Sequence, residues 1–96
     1  MNKALTIVAR IEAKQECIDT VKSSLVSLIE PTLKEVGCIQ YDLHQDNENP
    51  AVFIFFENWE SRELWQAHMQ SAHLATHKNA TEGMLVSVEI NEMTKI

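Results

Sequence analysis

The stretch that decides the fold runs from Phe53 to His77 and reads FIFFENWESRELWQAHMQSAHLATH. It opens within an apolar run, Ala51–Phe56, which predicts a β-strand that ends near Trp59. Ser61 then stands where a helix N-cap is expected. The apolar stripe of the helix behind it repeats at three- and four-residue spacing, in Leu64, Trp65, His68 and Met69. The strand should therefore be followed by an amphipathic helix that packs back on it.

The rest of the chain supplies three more strands and a second helical layer. Alternation of apolar and polar residues predicts strands at Leu5–Ala13, around Ile39–His44 and at Leu85–Asn91. Apolar residues between Cys17 and Ile29 recur at helical spacing and predict a helix. Pro31 should kink that helix or start a fresh turn, which Gly37 would end. Ser71 can cap a further helical segment that Gly83 would end.

The resulting order is strand, helix, strand, strand, helix, strand, which predicts an α+β, ferredoxin-like βαββαβ fold. Both helices should cover one face of a four-stranded antiparallel sheet. The third strand is apolar on both faces, so helices on one side would leave a row of apolar side chains exposed. Sheet-to-sheet packing in a homodimer is the simplest way to cover that row.

Composition limits the classes of function. With 96 residues, the chain is expected to form one domain, residues 1–96. The net charge of -6 argues against nucleic acid or an anionic membrane as a partner. An apolar stretch near the ~20 residues of a membrane span is missing from the sequence, and the N-terminus reads as strand rather than as a signal peptide. A cytoplasmic location with reduced Cys17 and Cys38 is expected.

Two residues of this stretch are candidates for proton transfer. Glu57 should share a face with Phe55 and Trp59, where burial would raise the pKa of its carboxyl group. It could then accept a proton from a phenol, or it could be an interface carboxylate paired with Arg10, a lysine or a backbone amide. His68 lies on the apolar stripe of its helix, where a histidine can line a pocket or make a structural hydrogen bond in the core.

The histidines also raise the question of a metal. His73 and His77 are four residues apart on a predicted helix, which is a spacing that metal ligands use. The remaining candidates, His68, His44 and Cys38, stand at no recognised interval from them. The sequence therefore predicts no metal site, and the missing flavin and haem motifs predict no cofactor.

Three segments of this sequence resemble a known family. Gly37–Asp46, Phe56–Ser61 and His68–His73 are similar to the antibiotic biosynthesis monooxygenase family, and especially to its small quinol monooxygenase-like members. The resemblance implies a dimeric α+β barrel. It also implies a cofactor-independent monooxygenase that oxidises an electron-rich aromatic substrate, a quinol or polycyclic phenol, with dioxygen.

The resemblance and the residues together give a predicted site. His68 and Glu57 are the candidate catalytic residues, one as the base and the other to orient it. The candidate substrate-binding residues are Trp59, Phe55, Tyr41, Leu64 and His73. The alternative is a non-oxidative dimeric protein of the same fold, either an isomerase of phosphorylated quorum-signal sugars or a small-molecule-binding module. Related haem-degrading enzymes use an asparagine on the first strand, which is missing here.

Overall fold

The computed structural model describes residues 4–96. Four strands, four helices and a short 3-10 turn at Gln15–Cys17 make up the described chain. In chain order they are β1 (Leu5–Ala13), α1 (Ile18–Ser27), α2 (Ile29–Leu33), β2 (Cys38–Gln45), β3 (Val52–Trp59), α3 (Arg62–Met69), α4 (Ala72–Ala80) and β4 (Leu85–Met93). This is the predicted α+β, ferredoxin-like arrangement.

The strands form one antiparallel sheet in the order β2-β3-β1-β4. β3 therefore lies in the interior of the sheet, between β2 and β1. Ala9 of β1 is paired with Phe55 of β3 on one side and with Ile90 of β4 on the other. Because paired residues point to the same side of a sheet, this register places the aromatic side chains of β3 opposite the small and branched residues of β1.

The core lies between this sheet and the helices. Every second residue of β1 and β3 points into it, and α1 contributes one stripe at helical spacing. Its buried apolar members include Ile7, Ala9, Ile11, Val21, Leu25, Leu28, Phe53, Phe55 and Trp59. The alternation predicted for β1 is confirmed residue by residue, from Ile7 to Ala13.

The first helical layer breaks earlier than the sequence predicts. The expected break was at Pro31, but α1 ends at Ser27 and α2 begins at Ile29. The backbone N–H of Leu28 donates to the Leu25 carbonyl at 3.1 Å, which tightens the last turn of α1. Pro31 then falls in the first turn of α2, where a missing N–H does not interrupt the helix.

Both N-caps predicted for the second helical layer are confirmed. The Ser61 hydroxyl accepts the N–H of Leu64 at 3.2 Å, and the Ser71 hydroxyl accepts the N–H of Leu74 at 3.4 Å. These caps fix where α3 and α4 begin, and so which of their residues face the sheet. The two helices are separated by Gln70 and Ser71, so the chain turns sharply between them.

We call the sheet face that points away from the helices the open face. It carries the strand residues that alternate with those of the core. Its apolar part includes Val8, Ile54 and Phe56, and Phe56 remains 37% exposed. A chain of hydrogen bonds crosses it from Thr6 to Asn58 (2.6 Å) and from Asn58 to Gln40 (2.7 Å). Within residues 4–96, the helices are all too short and too polar to span a membrane.

Candidate functional site

A cavity of about 280 Å³ lies between the helices and the β4 side of the sheet. Its wall is mostly apolar, as is usual for sites that bind small organic molecules. The apolar lining includes Ala9, Ile11, Leu25, Leu28, Phe55, Met69, Leu74, Leu85, Val88 and Ile90. The polar side chains in the lining are Tyr41, Glu57, His68, His77, Lys78, Thr81 and Glu82.

His68 forms the part of this wall that is richest in aromatic contacts. It lies in the last turn of α3, and 3% of its side chain is exposed. Its ring lies 4.8 Å from the Trp59 ring and meets Tyr41 edge-on at 5.5 Å, measured between centroids. Burial lowers the pKa of His68, an effect that Glu35 partly offsets. The imidazole is therefore held neutral near pH 7, in one orientation.

Glu35 sets the hydrogen bonding of His68. One carboxylate oxygen, Oε2, lies 2.6 Å from Nδ1 of His68 and 2.8 Å from Nε2 of His73. An ionised carboxylate can only accept hydrogen bonds, so each imidazole donates its N–H to that oxygen. In neutral His68 the proton therefore resides on Nδ1, and Nε2 keeps its lone pair.

Glu57 lies on the helix side of β3, as predicted. Its carboxylate is buried and accepts the indole N–H of Trp59 at 2.9 Å. Burial raises the pKa of Glu57 to about 7, although the Trp59 hydrogen bond opposes the shift. The partner suggested from sequence, Arg10, instead bonds to Glu12. A buried carboxyl group that titrates near neutrality can either hold or release a proton in the cavity.

Tyr41 and Phe55 form a stacked pair in the cavity wall. Their ring centroids are 4.4 Å apart with an interplanar angle of 26°. Burial raises the pKa of Tyr41 well above its ordinary value, so its hydroxyl stays protonated. This part of the wall therefore offers aromatic surface against which a flat ring can pack.

Three predicted substrate-binding residues lie elsewhere. Trp59 is fully buried behind His68 and Glu57, where it supports both side chains. Leu64 lies against Gly37, at the start of α3. His73 contacts Glu35 at the outer end of the cluster, 24% exposed. These residues shape the site from behind, and the cavity wall contains Phe55 and Tyr41 from the predicted set.

The predicted relation between His68 and Glu57 also differs from the structure. One of the two was expected to be the base and the other to orient it, but His68 is bound to Glu35 and Glu57 to Trp59. Glu35 was missed because it stands 33 residues before His68, in the loop that follows α2. The one signal in the sequence is an acidic residue two positions before Gly37, just outside the segment that carries the resemblance.

His77 belongs to the opposite end of the cavity. Its Nδ1 lies 2.7 Å from the Ser24 hydroxyl on α1, and burial lowers its pKa. His73 and His77, although four residues apart on one helix, therefore have different partners, because His73 bonds to Glu35 and His77 to Ser24. The spacing alone could not show this, because it depends on where α1 and the α2 loop pack against α4.

The fold and the site define a class, namely a ferredoxin-like α+β protein with an apolar cavity and a carboxylate-held histidine in its wall. The chain belongs to the antibiotic biosynthesis monooxygenase family, whose sequence profile matches residues 4–80. An Escherichia coli protein named "Probable quinol monooxygenase YgiN" is 26% identical, over 90% of this chain and 92% of that protein.

Two solved structures have the same fold. The crystal structure of PA3566 from Pseudomonas aeruginosa has 29% identity and a TM-score of 0.95, covering 100% of this chain and 97% of that one. A conserved protein from Methanosarcina mazei has 33% identity and a TM-score of 0.89, covering 98% and 94%. An uncharacterized protein of Synechocystis is 28% identical over 72% of this chain, which spans about half (47%) of that relative's length.

Proposed function

We propose that this protein is a cofactor-independent monooxygenase that oxidises an electron-rich quinol or polycyclic phenol with dioxygen. The observation that carries the proposal is His68, a neutral imidazole in an aromatic cavity wall whose Nδ1 is occupied by Glu35. Its remaining nitrogen, Nε2, is the proton acceptor. Family membership and the name of the E. coli relative support the same class of reaction.

The substrate supplies all the electrons in this reaction. His68 Nε2 accepts the phenolic proton, and the resulting anion transfers an electron to dioxygen, which then forms a bond to a ring carbon as a peroxide. The O–O bond breaks as the hydrogen of that carbon passes as a proton to the distal peroxide oxygen, so that the carbon is left as a carbonyl and the distal oxygen departs as hydroxide. The departing hydroxide takes the proton from His68 and leaves as water. A hydroquinone and one dioxygen thus give a hydroxyquinone and one water.

The other polar groups of the wall have supporting roles in this proposal. Tyr41 donates a hydrogen bond to the oxygen that gains negative charge, and Phe55 stacks on the ring. Glu57 in its protonated form can donate in the same way. The apolar lining excludes water, which would otherwise protonate the substrate anion or the peroxide.

The isomerase alternative finds less support at this cavity. A phosphorylated substrate would need several cations, but Arg10 bonds to Glu12 and Arg62 to Glu92. Among the described lining residues, Lys78 is the one cation. An uncharged aromatic ring suits this wall better.

We also propose that the protein is a homodimer that packs through its open face. The apolar residues of that face lie on the side of the sheet opposite the cavity. Dimerisation would therefore cover Ile54 and Phe56 without closing the site. The open face has apolar residues at its centre and polar residues around them, which is the usual arrangement of a protein–protein interface.

Oxygen uptake with a panel of hydroquinones and dihydroxynaphthalenes tests the reaction. Uptake of one dioxygen per substrate with aerobic turnover, and no product without oxygen, is the expected result. The His68→Ala variant should lose two to four powers of ten, roughly, in kcat, because it lacks the base. Lys22, which is exposed on α1 and lies outside both the cavity lining and the open face, provides the control, and Lys22→Ala should keep full activity.

The proposal fails if no member of the panel consumes oxygen, or if His68→Ala turns over like the parent. Each variant must melt within a few degrees of the parent, because His68 also packs on Trp59. His68→Gln, which keeps more of the side-chain volume, replaces the alanine variant if that one unfolds.

A further inference from the structure

Three side chains from three separate segments meet at one point of the site. Glu35 comes from the loop after α2, His68 from α3 and His73 from α4. The donor atoms of the three all lie within 4.8 Å of one another. We call this group the Glu35 cluster.

We propose that the Glu35 cluster binds one divalent transition-metal ion of the Zn²⁺ class through the Glu35 carboxylate, Nδ1 of His68 and Nε2 of His73. Two imidazoles and a carboxylate are a ligand set that Zn²⁺, Co²⁺ and Fe²⁺ share. Three protein ligands leave a fourth position for water. The sequence predicts no metal here, because the three residues stand at no recognised spacing and are assembled by the fold.

The geometry needs only a small adjustment to admit an ion. Metal bonds to nitrogen and oxygen are about 2.0–2.2 Å long, so tetrahedral ligand atoms lie roughly 3.3–3.6 Å apart. The shared oxygen of Glu35 is now 2.6 and 2.8 Å from the two nitrogens. The three ligand atoms lie within 4.8 Å of one another, so Glu35 and the partly exposed His73 would each need to shift by about 1 Å to bring all three pairs to metal distances. The ion would replace two hydrogens, so all three polar groups would keep a partner.

The burial of the cluster suits a bound ion that exchanges with solvent. His68 is 3% exposed and fixed by Trp59 and Tyr41, so one ligand is already oriented. Glu35 and His73 are 18% and 24% exposed, which gives an ion a path from outside. A second observation points the same way: one hydrogen bond is enough to orient His68, yet a second histidine shares the same oxygen.

Occupancy would change what His68 can do in the cavity. A metal on Nδ1 requires the ring proton of neutral His68 to move to Nε2 through exchange with water. In His73 the proton moves from Nε2 to Nδ1, so neither imidazole changes its charge. Nε2 of His68 would then be a donor and could no longer accept a proton. This consequence rests on the proposed function, and it makes the metal an inhibitor of turnover.

Titration of metal-free protein with Co²⁺ and Zn²⁺ tests the site without any substrate. The expected result is one ion per chain by calorimetry, with the visible absorption of Co²⁺ in a nitrogen and oxygen environment. Glu35→Gln and His73→Gln should each weaken binding by at least about 100-fold. The matched controls His44→Gln and His77→Gln remove imidazoles outside the cluster and should bind like the parent.

The proposal is overturned if no stoichiometric binding occurs at about 100 µM metal, a concentration on the order of the dissociation constant of a weak site. Equal binding by all four variants, or a loss caused by His44→Gln, also overturns it. If Glu35→Gln fails to fold, His73→Gln decides the question, because His73 lies at the outer end of the cluster.

Turnover of a hydroquinone with and without Zn²⁺ then separates this inference from the proposed function. Inhibition at one equivalent, reversed by a chelator, supports the switch. Metal binding by a protein that oxidises no quinol supports the site and refutes the function. Turnover in a protein that binds no metal supports the function and refutes the metal site. Metal binding that leaves turnover unchanged, or raises it, refutes the inhibitory role of the metal.

Discussion

At the scale of single residues, the environment of Glu57 sets a pH dependence of stability. The pKa of its carboxyl group is raised to about 7 in the fold, above the ordinary value of 4.5. Between these pH values the folded chain holds a proton that the unfolded chain releases. Its contribution to the free energy of unfolding therefore falls as pH rises through this window, by roughly 3 kcal/mol in all.

Glu57→Gln should remove that dependence. The amide keeps the shape and can still accept the Trp59 N–H, but it never ionises. We expect parent and variant to have similar stability near pH 4.5, and the variant to be more stable above pH 7 by up to about 3 kcal/mol. Urea unfolding from pH 4.5 to 8 measures the difference. A constant gap across this range would show that Glu57 ionises normally.

Residue-scale prediction from the sequence succeeded where the local pattern decides the outcome. Alternation in β3 placed Glu57 and Phe55 on the buried side, and helical spacing placed His68 there. The sequence did not reveal Glu35, because its role depends on a tertiary contact between one loop and two helices. The same physical reason explains Leu64, which has the right spacing for the cavity but lies against Gly37.

At the scale of elements, the turn at Gly37 joins the two halves of the site. Gly37 has φ of 90°, and its carbonyl accepts the N–H of Glu60 at 2.9 Å. A Cβ atom added here would lie 2.4 Å from Cδ1 and 2.8 Å from Cβ of Leu64. The glycine thus lets the loop that holds Glu35 approach the start of α3, which carries His68.

Gly37→Ala should therefore destabilise the fold more than Gly83→Ala. Gly83 also has a positive φ, of 78°, but a Cβ there would meet nothing within 4 Å in the described chain. We expect about 1 kcal/mol for the backbone strain at either position, and a further 1–3 kcal/mol, roughly, for the overlap at Gly37. Urea midpoints of the two variants give the comparison. Equal losses would mean that α3 moves aside without strain.

The elements themselves were largely predictable. β1 was predicted at its observed bounds, and both serine caps were identified, because these signals are local. The break between α1 and α2 was misplaced by three residues, since the proline tolerated in a first turn looks the same in sequence as one that breaks a helix. β4 extends to Met93, two residues past its predicted end, through pairing with the start of β1.

At the scale of the whole molecule, the open face predicts the oligomeric state. Phe56 and Ile54 lie in the middle of that face, on the interior strand β3. Phe56→Asp would place a charge in the proposed interface and should convert the dimer into a monomer at micromolar concentration. Light scattering coupled to size exclusion measures the mass.

A matched substitution on the helix layer provides the control for this prediction. Val26 is 49% exposed on α1, far from the open face, and Val26→Asp should leave the dimer intact. A parent protein that is a stable monomer would contradict the proposal. So would a Phe56→Asp protein that keeps the dimer mass.

The alternation within β3 has a consequence for how this chain can change in length. Odd-numbered positions from Phe53 to Trp59 form the wall and its support, while even-numbered positions from Val52 to Asn58 form the opposite surface. Deleting one residue before Glu57 would shift the pleat of everything after it, turning the carboxylate outward and Asn58 inward. Point substitutions can adjust either surface separately, but a one-residue insertion or deletion here exchanges both. Changes in length are therefore expected to be tolerated in the Asp46–Pro50 turn instead, outside the strand.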